Sequence, residues 1–154
     1  MTATPGTNQA ANGAHEARTR YALCGLSARA VSMYALPLLG KAEDGGYSDY
    51  GELVAILDLD QERIAAFNAS QGLAIPTYRP DEFDRLVAET RPDVVIAAGP
   101  DFTHAEHMIA ALAHDLDVIT EKPMVIDMAQ ASAVIAAERR SRGTVRVAHN
   151  SRYT

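Results

Sequence analysis

The chain has 154 residues, 47% of them apolar and 22% charged, with a formal net charge of −6 and a pI near 5.3. That length suits one globular domain burying roughly two-thirds of its unfolded surface; an acidic balance without any block of Lys and Arg argues against a nucleic-acid or anionic-membrane surface and leaves a small-molecule ligand or a protein partner. The single cysteine, Cys24, excludes an internal disulfide framework and a multi-cysteine metal site and suits a reducing cytoplasm, and no stretch approaches the roughly 18 apolar residues that cross a bilayer.

Residues 1–19 hold no apolar h-region of the kind a secretory signal needs and read as a flexible tail. From residue 20 onward short apolar runs alternate with segments of helical period. The run "YALCGL" predicts a strand over 21–26, followed by a helix over 28–39 that Pro37 should kink or end. The polar stretch "GKAEDGGYSDYG" (40–51) reads as an insertion before a second strand, "ELVAILD" (52–58), and a helix over 60–71. A brief strand at 75–78 and a helix over 80–90 come next. Then follow "DVVIAAG" (93–99), a helix over 103–114, "DVIT" (117–120), a helix over 127–142 and a last strand, "TVRVAH" (144–149). "THAE" (Thr103 to Glu106) and "DMAQ" (Asp127 to Gln130) have the spacing of capping boxes, and Gly72 and Gly143 stand where C-terminal caps belong. Strands joined by crossover helices run parallel, so the fold class is α/β, a doubly wound and mostly parallel sheet.

Such sheets bind ligands beyond the carboxyl ends of their strands, where the strand order reverses. At the first end, "CGLSARA" compares with a G-x-G-x-x-G/A dinucleotide loop as Gly25, Ser27 and Ala30, with Leu26 and Arg29 between them. Gly25 supplies the tight turn and Ala30 is small enough for close helix-to-strand packing. Ser27 departs from the pattern, although its hydroxyl can donate to a phosphate oxygen, and the helix behind it adds oriented N–H groups. A purely structural turn is the competing reading.

The second strand ends in Asp58, where a carboxylate can accept hydrogen bonds from the adenosine ribose hydroxyls and repel a 2′-phosphate, favouring NAD over NADP. Asp60 is expected only to cap the next helix. The fourth strand ends in "IAAGPDFTH": Gly99 and Pro100 fix a turn, Asp101 is polar, and His104 enters the next helix with a ring that can face the reactive end of a cofactor. His104, His107 and His114 do not read as a zinc site, since no H-E-x-x-H and no acidic or thiol third ligand accompany them. No metal is expected. No P-loop and no G-x-S-x-G elbow appears, and Cys24 sits within a strand, so nucleophilic catalysis lacks a candidate.

The fifth strand ends in "TEKP", with Glu121, Lys122 and Pro123 set where strand hands over to helix. With Gly25, Asp58, "GPDFTH", "DVITEKPMVID" and the closing "VAHNSRY" in that order, residues 20–153 resemble the N-terminal, Rossmann-type cofactor domain of the Gfo/Idh/MocA oxidoreductases, the glucose-fructose oxidoreductase and inositol dehydrogenase family. Some members carry a "GSR" element and a following "MY", which "SARAVSMY" echoes. The resemblance implies that Lys122 sits against the nicotinamide and a substrate hydroxyl and helps proton transfer, with Glu121 and Pro123 shaping its loop and the proline peptide often cis. A partly desolvated lysine suits that role. The competing reading is a structural ion pair between Glu121 and Lys122.

The resemblance also implies that residues 20–149 form the dinucleotide-binding domain and that 150–154 begin the crossover to an α+β substrate domain absent from this chain. Asn150, Arg152 and Tyr153 would line the substrate side. The expected activity is hydride transfer between NAD and a sugar, polyol or related hydroxylated substrate, with the chain inactive alone and a homo-oligomer as the family's habitual assembly. A non-catalytic NAD(P)-binding or redox-sensing module acting through a partner is the alternative. A methyltransferase-like domain would also place an acid after the second strand, but nothing in such a site asks for the EKP triplet.

Overall fold

A parallel strand has to be carried back across the sheet before its neighbour can start, and the helices that do this cover the sheet on both faces. In the computed structural model, which describes residues 17–43 and 45–149, six strands obey this rule: β1 (Thr19–Cys24), β2 (Gly51–Leu57), β3 (Thr77–Tyr78), β4 (Val94–Ala97), β5 (Asp117–Glu121) and β6 (Val145–Ala148). Their order is β3-β2-β1-β4-β5-β6 and every pairing is parallel. The order reverses between β1 and β4, which makes the carboxyl ends of these two strands the switch point. Residues 1–16 of the expected tail, and Asn150, Arg152 and Tyr153, lie outside the described residues.

Five helices connect the strands. The first, α1, runs through Ala28–Ala30, a π-helical turn Val31–Ala35 and Leu36–Leu38. As Pro37 leads one to expect, the helix ends one residue beyond it, at Leu38, and its ladder is already irregular in the preceding turn. Leu36 N–H reaches back five residues to the Val31 carbonyl, so the ladder is already widened where the proline ring arrives without a donor. The insertion after it is fastened to its surroundings: Tyr47 N–H donates to the Pro37 carbonyl (2.8 Å) and Lys41 Nζ to the Gln71 carbonyl (2.9 Å).

Next come α2 (Gln61–Gln71), capped by the Asp60 carboxylate and closed by Gly72 as expected, and α3 (Phe83–Thr90). Helices α4 (His104–Ala113) and α5 (Met128–Glu138) complete the set. Single 3₁₀ turns at Pro80–Glu82 and Asp101–Thr103 precede α3 and α4, so both begin later than their periodicity suggests. The Asp127 cap forms, accepting from Gln130 N–H at 2.8 Å. The box predicted at Thr103 does not: its hydroxyl donates to the Pro100 carbonyl instead (2.7 Å).

The core lies on both sides of the sheet. Cys24, Val95, Val118 and Ala22 meet α3, α4 and α5 on one face, while Leu23, Ile56 and Ile96 meet α1 and α2 on the other. Beyond α1 the second face opens into an apolar cleft of about 390 Å³ where Ile96 and Ile119 face Tyr21, Tyr34, Tyr47 and Tyr50. Burial pushes the Cys24 thiol up to about 12, which leaves it an inert core side chain. Among the described residues no helix is long and apolar enough to cross a membrane.

Gly143 is not the cap of α5, which ends at Glu138 with Arg139 behind it. Its missing side chain answers a different need, because a Cβ there would stand 2.0 Å from the Leu116 carbonyl oxygen. Gly143→Ala is therefore expected to destabilise the chain by about 3 kcal/mol through overpacking against backbone. Urea denaturation checks this, and an unchanged midpoint would contradict the close approach.

Candidate functional site

The strand ends at the switch point are in backbone contact. Gly25 adopts φ +96°, and a Cβ on it would lie 2.2 Å from the Cα of Gly99 in the loop after β4. Only glycine satisfies both conditions. Two hydrogen bonds extend the ladder to this crossing: Gly25 N–H donates to Leu57 O and Ala98 N–H to Cys24 O, both 2.8 Å.

Asp58 then braces the loop from the side. Its Oδ2 accepts from Leu26 N–H at 2.7 Å and its Oδ1 from Asp60 N–H at 2.8 Å, and its side chain is only 11% exposed. Each carboxylate oxygen keeps a further lone pair for a hydroxyl donor. Arg63 stands 3.7 Å away but is committed to Asp60 at 3.0 Å. Ser27 caps α1 by accepting from Ala30 N–H (3.1 Å), which leaves the hydroxyl proton free to donate outward. Ala30 is fully buried against the sheet, as its size suggests.

On the other side of the crossing β5 delivers Glu121, and the Lys122–Pro123 peptide is cis. Glu121 is 5% exposed, and an ionised carboxylate taken that far from water requires donors. It has three. Oε1 accepts from Arg29 Nε (3.1 Å) and from the Tyr34 hydroxyl (3.0 Å), and Oε2 accepts from Lys122 N–H (3.2 Å). Its ion pair is thus with Arg29 and not with Lys122. Burial, and then the hydrogen bond to Glu121, push the Tyr34 phenol well above its ordinary range, so it remains a donor.

Lys122 itself is exposed. The partial desolvation expected of it is not supplied by the described residues, which corrects that part of the sequence reading. His104 is 1% exposed, with Nδ1 2.8 Å from the Pro123 carbonyl oxygen and Nε2 2.9 Å from that of Gly99. Both neighbours are acceptors, so the tautomer decides which nitrogen donates, and the ring lies between the loop after β4 and the loop after β5. His114 stands at the far end of α4 beside Asp84, at 2.7 Å.

Ser27, Arg29, Gly99, Asp101, His104, Glu121 and Lys122 line one cavity of about 200 Å³. Residues predicted from three strand ends therefore meet in one place, while Asp58 serves the other half of the crossing and Pro100 lends its carbonyl to the turn below. Two residues escaped the sequence reading. Tyr34 was visible only as half of the "MY" echo, because five residues separate it from Arg29 and an ideal α-helix turns such a pair about 140° apart. His107 carried no signal beyond its helix spacing.

Residues 19–149 match the model of a family described as an oxidoreductase family with an NAD-binding Rossmann fold. The chain belongs to that family. It is 39% identical over 133 residues to YteT of Bacillus subtilis (strain 168), a match that covers 85% of this chain and 30% of that protein. Over 86 residues it is 34% identical to the inositol 2-dehydrogenase of Rubrobacter xylanophilus, covering 56% of this chain and 24% of the relative. Among solved structures, the WlbA dehydrogenase of Bordetella pertussis, in complex with NADH and UDP-GlcNAcA, superposes with a TM-score of 0.73 at 21% identity, over 90% of this chain and 39% of that one. The myo-inositol 2-dehydrogenase of Lactobacillus plantarum gives the same TM-score of 0.73 at 21% identity, with 90% and 38% coverage. The chain spans under a third of the length of the curated relatives it matches. The doubly wound fold and the Gfo/Idh/MocA resemblance both stand.

His107 gives the fold a pH signature. It is 7% exposed and its Nδ1 has no hydrogen-bond partner among the described residues. Burial, and then the neighbouring His104, push it down to about 4 against an opposing pull from Asp58. The folded chain keeps this ring neutral where the unfolded chain protonates it, so stability is full above about 6.5 and falls as pH drops toward 4, by about 3 kcal/mol at most. Urea midpoints measured at pH 7.5, 5.5 and 4 should converge less steeply in His107→Leu than in the unsubstituted chain; parallel curves would contradict a buried neutral ring.

Proposed function

We propose that this chain is the cofactor-binding part of an NAD-dependent oxidoreductase that transfers hydride between the nicotinamide and a sugar, polyol or related hydroxylated substrate. The observation that carries the reading is the crossing of Gly25 and Gly99, with an acceptor carboxylate on one side and a lysine-bearing loop on the other. A dinucleotide laid across a switch point needs this arrangement: no side chain at the close approach, an acid for one ribose, and polar groups for the reactive end.

The residues present fit that cofactor. The first-turn N–H groups of α1 and the Ser27 hydroxyl would hold the pyrophosphate, and the open lone pairs of Asp58 the adenosine ribose hydroxyls. The cavity at Arg29, Gly99 and Lys122 would take the nicotinamide end. Bound NAD supplies the hydride acceptor. Lys122 would anchor the substrate hydroxyl and help conduct its proton away as the hydride leaves, and its position at the cavity mouth leaves it reachable from the substrate side. The relatives named inositol 2-dehydrogenase and glucose-6-phosphate 3-dehydrogenase support a hydroxylated ring as the substrate class. Substrate contacts would come from a further domain and from Asn150, Arg152 and Tyr153 at the crossover to it, in a cytoplasmic homo-oligomer.

Calorimetric titration of the chain with NAD and with NADP tests the cofactor half. NAD should bind at least roughly tenfold more tightly, because Asp58 repels a 2′-phosphate, and Asp58→Asn should narrow that gap by a similar factor. Silence with both nucleotides, or equal affinities, would overturn the assignment. Lys122→Ala should leave NAD affinity within about twofold while abolishing turnover in a protein carrying the substrate domain. Unchanged turnover would remove Lys122 from the chemistry.

A further inference from the structure

Lys122 is mounted on a peptide whose own N–H is held by a buried carboxylate, and that carboxylate is held in turn by two side chains of α1. Arg29 and Tyr34 share Glu121 Oε1 at 3.1 and 3.0 Å, and Glu121 Oε2 accepts from Lys122 N–H at 3.2 Å. Two residues five apart on an ideal helix would face about 140° away from each other and could not share an oxygen. The π turn Val31–Ala35 removes the obstacle, because its ladder closes over five residues and swings both side chains to the same side.

We propose that Arg29 and Tyr34 are positioning residues for Lys122, acting through Glu121, and that the π turn of α1 is the device that aims them. The proposal rests on the reading of this cavity as the nicotinamide half of the site. Energetically the carboxylate is the vulnerable member. Its side chain is 7% exposed, whereas that of Arg29 is 46% exposed, so losing a donor leaves a buried charge short of compensation while the donor loses little. The cheapest relief is for Glu121 to turn toward water, and that movement releases the Lys122 peptide. Arg29 and Tyr34 thus govern where the ammonium stands without touching it.

The sequence offers a selective readout, since Lys41 and Lys122 are its two lysines. ¹⁵N-lysine labelling gives two backbone amide signals, one on the proposed network and one at the far end of α1, where Lys41 N–H donates to the Leu36 carbonyl (2.8 Å). Tyr34→Phe, which removes a single oxygen, should shift the Lys122 amide upfield and speed its exchange with water by roughly tenfold, leaving Lys41 in place. Arg29→Gln should act in the same direction and Arg29→Lys should restore much of the signal. An unmoved Lys122 amide in the Arg29→Gln/Tyr34→Phe double variant would overturn the proposal. So would equal changes at both lysines, since these report a loosened helix.

Ligands add a second arm: NADH and ADP-ribose affinities should both stay within about twofold in Tyr34→Phe, as NAD affinity does in Lys122→Ala, since the network acts on the lysine and not on the nucleotide. Equal losses for both would count against positioning. If the unsubstituted chain binds neither ligand, the cofactor reading fails, and the labelled lysines alone decide whether the network exists.

Discussion

The contact on which the site depends is between two backbones. Where the order of strands reverses, the loop after β1 passes over the loop after β4 so closely that a Cβ on Gly25 would stand 2.2 Å from the Gly99 Cα. The crossing fixes the height at which α1 begins, because Ser27 caps that helix two residues later. It also fixes Leu26, whose N–H must then find an acceptor, and Asp58 provides one at 2.7 Å. A cofactor cradle built this way is stiff before any ligand arrives, since its shape is set by hydrogen-bonded main chain and not by flexible side chains.

The opposite half of the site is organised by buried polarity. An ionised Glu121 inside the domain would be costly alone, and three donors answer it, two from α1 and one from the loop after β5. Because Glu121 itself ends β5, satisfying its charge also determines how the first helix sits against the fifth strand. His104 repeats the logic with the roles reversed. There two backbone carbonyls, from Gly99 and Pro123, are brought to one buried ring, which lies between the loops after β4 and β5.

Much of this was legible in the sequence. Alternation of apolar runs and helical period predicted six strands, five helices and a parallel sheet, and Gly25, Asp58 and the EKP triplet were each found at a strand end by their chemistry. What was not legible depended on partners far away in the chain. Pro37 marks where the first helix stops, but nothing local announces the π turn that precedes it. Gly143 looks like a cap from its neighbours and is instead an accommodation to Leu116, while Thr103 has the spacing of a capping box but finds the Pro100 carbonyl nearer. Tyr34 became a site residue only because the same π turn altered the helical phase. Local pattern is a sound guide to which elements form and a poor one to which side chains converge across them.

These two halves differ in what they still require. The half proposed for ribose and phosphate is built of main chain, Ser27 and one carboxylate, whose hydrogen bonds are made within the described residues. Lys122, by contrast, is exposed among the described residues, and surrounding water of high dielectric weakens any electrostatic interaction it makes. The same ammonium therefore becomes a strong polariser of a hydroxyl only when water is displaced from the cavity mouth. A substrate held over Arg29 and Lys122 would do both at once, supplying the hydroxyl and excluding the solvent. The positioning network proposed beneath Lys122 would keep the lysine's peptide in place before a substrate arrives, so that binding has only solvent to remove and no loop to order.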